Sequence, residues 1–146
     1  MRMYGRPIYL SIRIYNGDVA RRSKPYDLAR LFAALADPTR LRLLNLMGGS
    51  EVCVCSFVEI LRQSQPKISR HLAYLRNAEI VTARREGKWM HYSIRRPEDA
   101  TAKSILDAVL ECLADDPAMQ ADAARMARAN CEPQRLVALQ GVAGVR

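Results

Sequence analysis

Two cysteines separated by a single residue, Cys53 and Cys55, are the side chains whose type and spacing most clearly suggest specific chemistry. Inside a regular helix, residues i and i+2 point about 200° apart, so such a pair would not converge there. Here a helix is predicted to begin at about residue 54, which puts Cys53 at its N-cap, where a side chain folds back over the first turn. The positive end of the helix dipole favours a thiolate at such a position. We therefore predict a thiolate site for a soft ion, with trivalent arsenic or antimony, cadmium, lead and zinc as candidates.

A third ligand is needed if the ion is trivalent arsenic or antimony, because these ions commonly accept three sulfurs in a pyramid. The other two cysteines of the chain are Cys112 and Cys131. Cys112 lies on the apolar stripe of a late predicted helix, where a small buried apolar residue is the simpler interpretation. Cys131 lies in the tail and is more simply a reduced tail thiol. The third ligand therefore stays open among Cys131, Cys112, a small-molecule thiol and a hydroxide.

A helix predicted from about residue 64 to residue 77 has two chemically distinct faces. Ser64 suits its N-cap, and Pro66 is tolerated in its first turn. Its apolar residues recur at i, i+4 and i+7 and should pack inward: Ile68, Leu72 and Leu75. The outer stripe should carry Lys67, Arg70, His71 and Tyr74. A shorter helix predicted over about 54–62 precedes it, and a tight turn connects the two. Together they form a helix-turn-helix.

The N-terminal part of this second helix carries donors that suit the edges of DNA bases in the major groove. The candidate DNA contacts there are Ser64, Gln65, Lys67, Ser69, Arg70 and His71. Two strand-like runs then flank Glu86-Gly87-Lys88 and predict a β-hairpin, or wing. Its cations Arg84, Arg85 and Lys88 can neutralise phosphates, each adding about −0.9 to the log–log salt slope of binding. His91 is expected on the outward face of the second strand with no specific role.

Composition agrees with a nucleic-acid partner. The chain has 146 residues and a formal net charge of +8, which favours a polyanion such as nucleic acid or an anionic membrane surface. Hydrophobic residues make up 49% of it, enough for a folded core. No apolar run approaches the roughly 20 residues that span a bilayer. We expect a cytoplasmic protein with reduced thiols and no membrane partner.

We divide the chain into a basic N-terminal extension (1–24), a DNA-binding and dimerisation domain (25–116) and a C-terminal helical extension with a tail (117–146). The extension is interpreted as loosely ordered, or alternatively as an arm for the DNA minor groove or an edge strand. Further helices are predicted over about 26–36, from Asp37-Pro38 to about 47, from Pro97 to about 115, and from 117 to 130. The predicted fold class is mainly α with a small β-hairpin.

Residues 28–96 resemble the ArsR/SmtB family of metal-responsive repressors. The resemblance is carried by the segments 35–44 (LADPTRLRLL), 51–55 (EVCVC), 64–72 (SQPKISRHL) and 87–92 (GKWMHY). It implies a winged helix-turn-helix homodimer whose first and last helices form the interface. It also implies a repressor of its own operon that leaves DNA when a metal or metalloid binds. Two recognition helices in such a dimer should lie about 34–36 Å apart and require an inverted repeat.

The resemblance is strongest to the arsenical-resistance repressors with a Cys-Val-Cys motif, which implies As(III) or Sb(III) as inducer and no organic cofactor. In those members a third cysteine follows three residues after the second, and here that position is Val58. The cadmium and lead sensors complete their site with N-terminal cysteines, but residues 1–52 contain none. The zinc sensors use histidines of the last helix, and 98–116 has none.

Other functions are less well supported. An enzyme or ion carrier using the two thiols would be expected to show a Cys-x-x-Cys motif, a phosphate-binding loop or a catalytic triad, and the sequence has none of these. We therefore predict that the chain is not an enzyme. A winged-helix repressor that responds to thiol oxidation, or to cadmium or lead, remains the alternative.

Overall fold

Six helices and three short strands form the computed structural model of this chain, which describes residues 25–129. The helices are α1 (Leu28–Leu35), α2 (Pro38–Leu46), α3 (Val54–Leu61), α4 (Gln65–Asn77), α5 (Ala100–Ala114) and α6 (Pro117–Arg128), and the strands are β1 (Val52–Cys53), β2 (Val81–Glu86) and β3 (Trp89–Ile94). The predictions for the extension 1–24 and for Cys131 lie outside the described residues. The predicted class, mainly helical with a small sheet, is confirmed.

Aspartates set the starts of four helices, because their carboxylates accept hydrogen bonds from otherwise unpaired N–H groups of the first turn. Asp37 accepts from the Arg40 amide at 2.9 Å with Pro38 following, as predicted. Asp99 accepts from the Ala102 amide at 2.9 Å. The prediction that Pro97 opens α5 was therefore wrong: a proline fits the first turn of a helix, but the aspartate provides the cap and the helix begins after it.

The turn between α3 and α4 is made by a residue in the left-handed region. Arg62 has φ 52° and ψ 43°, which reverses the chain directly after α3. Ser64 then takes the N-cap position of α4 with extended backbone angles. The predicted helix-turn-helix is confirmed. The inward face of α4 is also confirmed, since Ile68, Leu72 and Leu75 are fully buried.

The sheet has three antiparallel strands in the order β1-β3-β2. The hairpin of β2 and β3 was predicted, and its tip has the positive φ of 58° at Gly87 that a type II′ turn requires at its first loop position. The strand β1 was not predicted, because two residues are too few for a periodic signal. It pairs Val52 with Tyr92 and Cys53 with His91. The cysteine segment is thereby hydrogen-bonded to the wing.

The core lies between the helices and the inner face of this sheet. Its fully buried side chains include Leu31, Leu43, Leu44, Phe57, Ile80 and Leu106. Phe57 of α3 and Tyr92 of β3 form a tilted aromatic pair with ring centroids 6.5 Å apart, which packs the helix that follows Cys53 onto the wing. No helix within residues 25–129 combines the length and the apolar character needed to cross a bilayer.

The helix α6 packs against α2 and α3. The Arg42 guanidinium donates to both carboxylate oxygens of Asp122, at 2.6 and 2.9 Å, and Arg125 donates to the same carboxylate. Asn45 donates to the Met119 carbonyl at 2.9 Å. Asp122 is only 1% exposed, so this ion pair closes one side of the core. The hydrogen bonds from Arg42 and Arg125 hold the pKa of that carboxyl below its usual value.

Candidate thiolate site and DNA-reading surface

The sulfurs of Cys53 and Cys55 lie 2.9 Å apart at the start of α3. Cys53 is the N-cap residue, with φ −69° and ψ 143°, and its sulfur lies beside that of Cys55 in the first helical turn. The predicted convergence of the two sulfurs is thus confirmed. Cys55 is buried and Cys53 is half-buried, so an ion would approach from the side of Cys53. Among the described residues, the Cys53 sulfur caps no backbone amide and accepts a hydrogen bond from the Cys55 thiol.

The spacing of the sulfurs favours a bent arrangement around an ion. With a metal–sulfur bond of about 2.3 Å, a linear two-sulfur site needs sulfurs about 4.6 Å apart, whereas a pyramidal site needs about 3.4 Å. The observed 2.9 Å is closer to the second value. Small rotations of the two side chains would therefore suffice to bind a pyramidal ion.

The described part of the protomer, residues 25–129, does not bring a third ligand to this pair. Within residues 25–129, no group of three His, Cys, Asp or Glu side chains is arranged to hold a metal ion. Cys112 is exposed, so its interpretation as a buried apolar residue was wrong: α5 turns Ala102, Leu106 and Leu113 inward instead. Val58 is half-buried against the core.

The strand register places Cys53 in a row that crosses the whole sheet. Its partner on β3 is His91, and the partner of His91 on β2 is Arg84. His91 is 19% exposed, and its ring nitrogens lie 3.7 Å from carboxylate oxygens of Glu51 and Glu86. His91 was expected on the outward face of the strand with no specific role, and the structure places its ring beside these two carboxylates. Sequence patterns could not show this, because the partner strand is only two residues long.

The three predicted wing cations are placed differently from one another. Arg85 and Lys88 are exposed near the tip, and Arg85 donates to the Gly87 carbonyl at 3.0 Å. Arg84 donates to Glu51 and Glu86, with shortest distances of 2.5 and 2.8 Å. The hydrogen bond from Arg84 lowers the pKa of Glu51.

The outer surface of α4 presents most of the predicted DNA contacts. Its exposed candidates are Ser64, Gln65, Lys67 and Arg70. Ser69 is half-buried. His71 is also half-buried, and its Nδ1 lies 3.5 Å from the Asp37 carboxylate. The stripe therefore divides into an exposed N-terminal part and a part that contacts α2.

Two residues that contact this surface were not predicted: Arg40 of α2, and Asp37, the N-cap residue of that helix. Arg40 is buried and lies 4.9 Å from the ring centroid of Tyr74, and Asp37 faces His71. Both occur in the segment Asp37-Pro38-Thr39-Arg40, which carries part of the family resemblance. An arginine three residues after a helix-capping aspartate is the sequence signal that could have identified them.

Comparisons with known proteins agree with this geometry. A sequence profile described as "Bacterial regulatory protein, arsR family" matches residues 37–83, a range that includes both cysteines and α4. The chain is 43% identical over 103 residues to the arsenical resistance operon repressor of Escherichia coli, covering 70% of this chain and 86% of that protein. It is 43% identical over 114 residues to an arsenic resistance transcriptional regulator of Pseudomonas putida, covering 74% and 84%. HlyU from Vibrio cholerae has a similar structure, with 26% identity and a TM-score of 0.51 over 58% of this chain and 89% of HlyU.

Proposed function

Because this chain belongs to the ArsR family of bacterial transcriptional repressors, we propose that it releases its operator when trivalent arsenic or antimony binds Cys53 and Cys55. The observation that carries the proposal is the 2.9 Å approach of the two sulfurs at the first turn of α3. The names of the two relatives from Escherichia coli and Pseudomonas putida support the choice of arsenic.

DNA would be read by the exposed N-terminal part of α4 together with the wing. Ser64, Gln65, Lys67 and Arg70 are accessible for base edges and phosphates, and the helix N-terminus adds free N–H groups for a phosphate. Arg85 and Lys88 extend this positive surface to the wing tip. Ser69 and His71 are half-buried, and Arg84 is paired with Glu51 and Glu86, so we rank these three below the other candidates.

The active species would be a homodimer on an inverted repeat. Phe32 and Leu28 of α1 are 55% and 37% exposed, an unusual position for large apolar side chains. The helix α5 leaves Ile105, Val109 and Leu110 only partly covered. A second copy that buries these faces would place two α4 helices for successive major grooves about 34–36 Å apart.

Ligand binding would act through α3. Widening the two sulfurs from 2.9 Å to about 3.4 Å turns the Cys53 side chain, and we expect the N-cap backbone at the start of α3 to shift with it. The C-terminal end of α3 leads through Arg62 directly into α4. A coupling free energy of about 1–3 kcal/mol is typical of such systems and corresponds to a 5- to 150-fold change in DNA affinity.

A gel-shift titration with arsenite tests the proposal. Arsenite should release the DNA upstream of the chain's own gene from the wild type and not from Cys53→Ser, Cys55→Ser. Cys112→Ser is the matched control and should respond as the wild type does if Cys112 is not the third ligand. Equal release from the wild type and the double variant would contradict the proposal. X-ray absorption on the arsenic-loaded wild type, Cys112→Ser and Cys131→Ser would count the sulfur neighbours.

Thiol oxidation is the second candidate, because two sulfurs at 2.9 Å are also placed to react with each other. Peroxide and arsenite, added separately to DNA-bound protein, distinguish the two. Release by peroxide alone would favour the oxidation sensor. Release by cadmium or lead at concentrations at which arsenite has no effect would favour the other alternative inducers.

A further inference from the structure

Glu51 and Arg84 connect the cysteine segment to the wing. Glu51 directly precedes β1 and lies two residues before Cys53. The Arg84 guanidinium approaches its carboxylate with two nitrogens: Nε lies 3.1 Å from both oxygens, and Nη2 lies 2.5 Å from Oε1. This fork geometry fixes the relative position of the two side chains more closely than a single contact would.

Arg84 is poorly suited to bind a phosphate while this arrangement holds. Glu86 also accepts from its Nη2, at 2.8 Å, so that two carboxylates surround one guanidinium. The two carboxylates and the Arg84 guanidinium together carry a charge of −1, which repels a phosphate. By contrast, Arg85 on the same strand has only the Gly87 carbonyl as a hydrogen-bond partner among the described residues. Arg84 and Arg85 therefore have different tasks.

We propose that the Glu51–Arg84 pair is the positioning contact through which occupation of the thiolate site changes the position of the wing. This inference rests on the proposed function. Strand pairing joins Cys53, His91 and Arg84 in one row across the sheet, but β1 contributes only two residues to the sheet. Glu51 is thus held to the wing mainly by its side chain. A shift of Cys53 toward a bound ion moves Glu51 with it and opens the pair, so the wing leaves the position that it holds on DNA.

The strength of the contact suits a switch. Glu51 and Arg84 keep 34% and 54% of their side-chain surface exposed, and ion pairs of this kind change an equilibrium by about fivefold at most. Such an ion pair favours one position of the wing only weakly, so ligand binding can break the pair. We therefore expect it to supply a part, and not the whole, of the response to arsenite.

The test is a double-variant cycle on Glu51→Gln, Arg84→Gln and the combination. Fluorescence anisotropy measures the dissociation constant for the DNA upstream of the chain's own gene with and without arsenite. The ratio of the constant with arsenite to the constant without it gives the response of each variant. Each single variant should lower this ratio about threefold to fivefold, and the combination should lower it no further. The arsenite affinity of the DNA-free protein, measured directly, should not fall in any of the three, because arsenite binding no longer has to open the pair.

Arg85→Gln and Arg84→Lys are the matched controls. Arg85→Gln should weaken DNA binding equally with and without arsenite, reduce the salt slope by about 0.9 per protomer and leave the ratio unchanged. Arg84→Lys keeps the charge but loses the fork, so it should lower the ratio as Arg84→Gln does. If Arg84→Gln instead behaves like Arg85→Gln, Arg84 is a phosphate contact and the inference is overturned. A wild type that keeps its DNA in arsenite would show a different failure, that of the proposed function itself.

Discussion

The guanidinium carbon of Arg40 lies 4.9 Å from the ring centroid of Tyr74, so a buried residue of α2 supports an exposed residue of α4. The same guanidinium donates to the carbonyls of Ala34 and Ala33, at 2.6 and 2.7 Å, at the C-terminal end of α1. One side chain thereby joins three helices. In the proposed dimer α1 faces the partner and α4 faces DNA. The contacts of Arg40 therefore set the position of α4 relative to the dimer axis.

Tyr74→Ala should lower the free energy of unfolding by about 1 kcal/mol, because it removes a cation–π contact with a largely desolvated guanidinium. Tyr74→Phe retains the ring and should stay within a few tenths of a kcal/mol of the wild type. Denaturant unfolding at one fixed protein concentration gives both values, since dimer dissociation contributes to the transition. Equal losses in both variants would mean that the hydroxyl, and not the ring face, is the important group.

Asp122→Asn should destabilise the fold by about 2–3 kcal/mol, since it leaves Arg42 and Arg125 without their common carboxylate. The value is below that of a fully buried pair because Arg42 is 31% exposed. The matched control is Asp107→Asn, which breaks the exposed 2.8 Å pair with Arg96 and should cost less than about 1 kcal/mol. Similar losses of unfolding free energy in the two variants, measured by chemical denaturation, would contradict the conclusion that Asp122 stabilises the packing of α6 against α2.

Acidification should remove the contribution of Asp122. The hydrogen bonds from Arg42 and Arg125 lower the pKa of this carboxyl in the folded protein below its ordinary value of 3.8. A lowered folded-state pKa gives stabilisation that is fully present above the unfolded-state pKa and is lost as the pH falls through the folded-state pKa. The stability difference between the wild type and Asp122→Asn should be constant from about pH 7 to about pH 5 and shrink below about pH 4. A difference that grows on acidification would show that the sign is wrong.

Glu79→Gly should stabilise the protein by about 1 kcal/mol. Glu79 has φ 59° and occupies the left-handed position after α4, where its amide donates to Arg76 and the Ile80 amide donates to Leu75. These two bonds form a Schellman motif, in which glycine is the preferred residue. The midpoint of thermal unfolding measures the gain.

The converse control for that substitution is Gly87→Ala. It introduces a Cβ at φ 58° where no atom lies within 4 Å, so backbone strain alone should lower stability, by about 1 kcal/mol. An unchanged midpoint in Glu79→Gly, together with a lowered one in Gly87→Ala, would mean that Glu79 makes compensating contacts in the folded state.

Local rules were sufficient to predict most elements of this protein. The capping Asp37, the apolar period of α4 and the Gly87 turn each act within a few residues, and each was confirmed by the structure. The convergence of Cys53 and Cys55 belongs to the same class, because an N-cap position determines where its side chain points. The start of α5 was misplaced by three residues because a proline and an aspartate compete for the same helix start.

Contacts between residues distant in the chain were decided only by the tertiary structure. Arg84 pairs with Glu51, 33 residues away, and Arg42 pairs with Asp122, 80 residues away. A charged side chain carries no periodic signal that names its partner, so a cation that binds a phosphate and one that binds a carboxylate look the same in the sequence. Helix starts and faces depend on hydrogen bonds and packing within one or two turns, whereas the partner of a charge depends on which elements the folded core brings together.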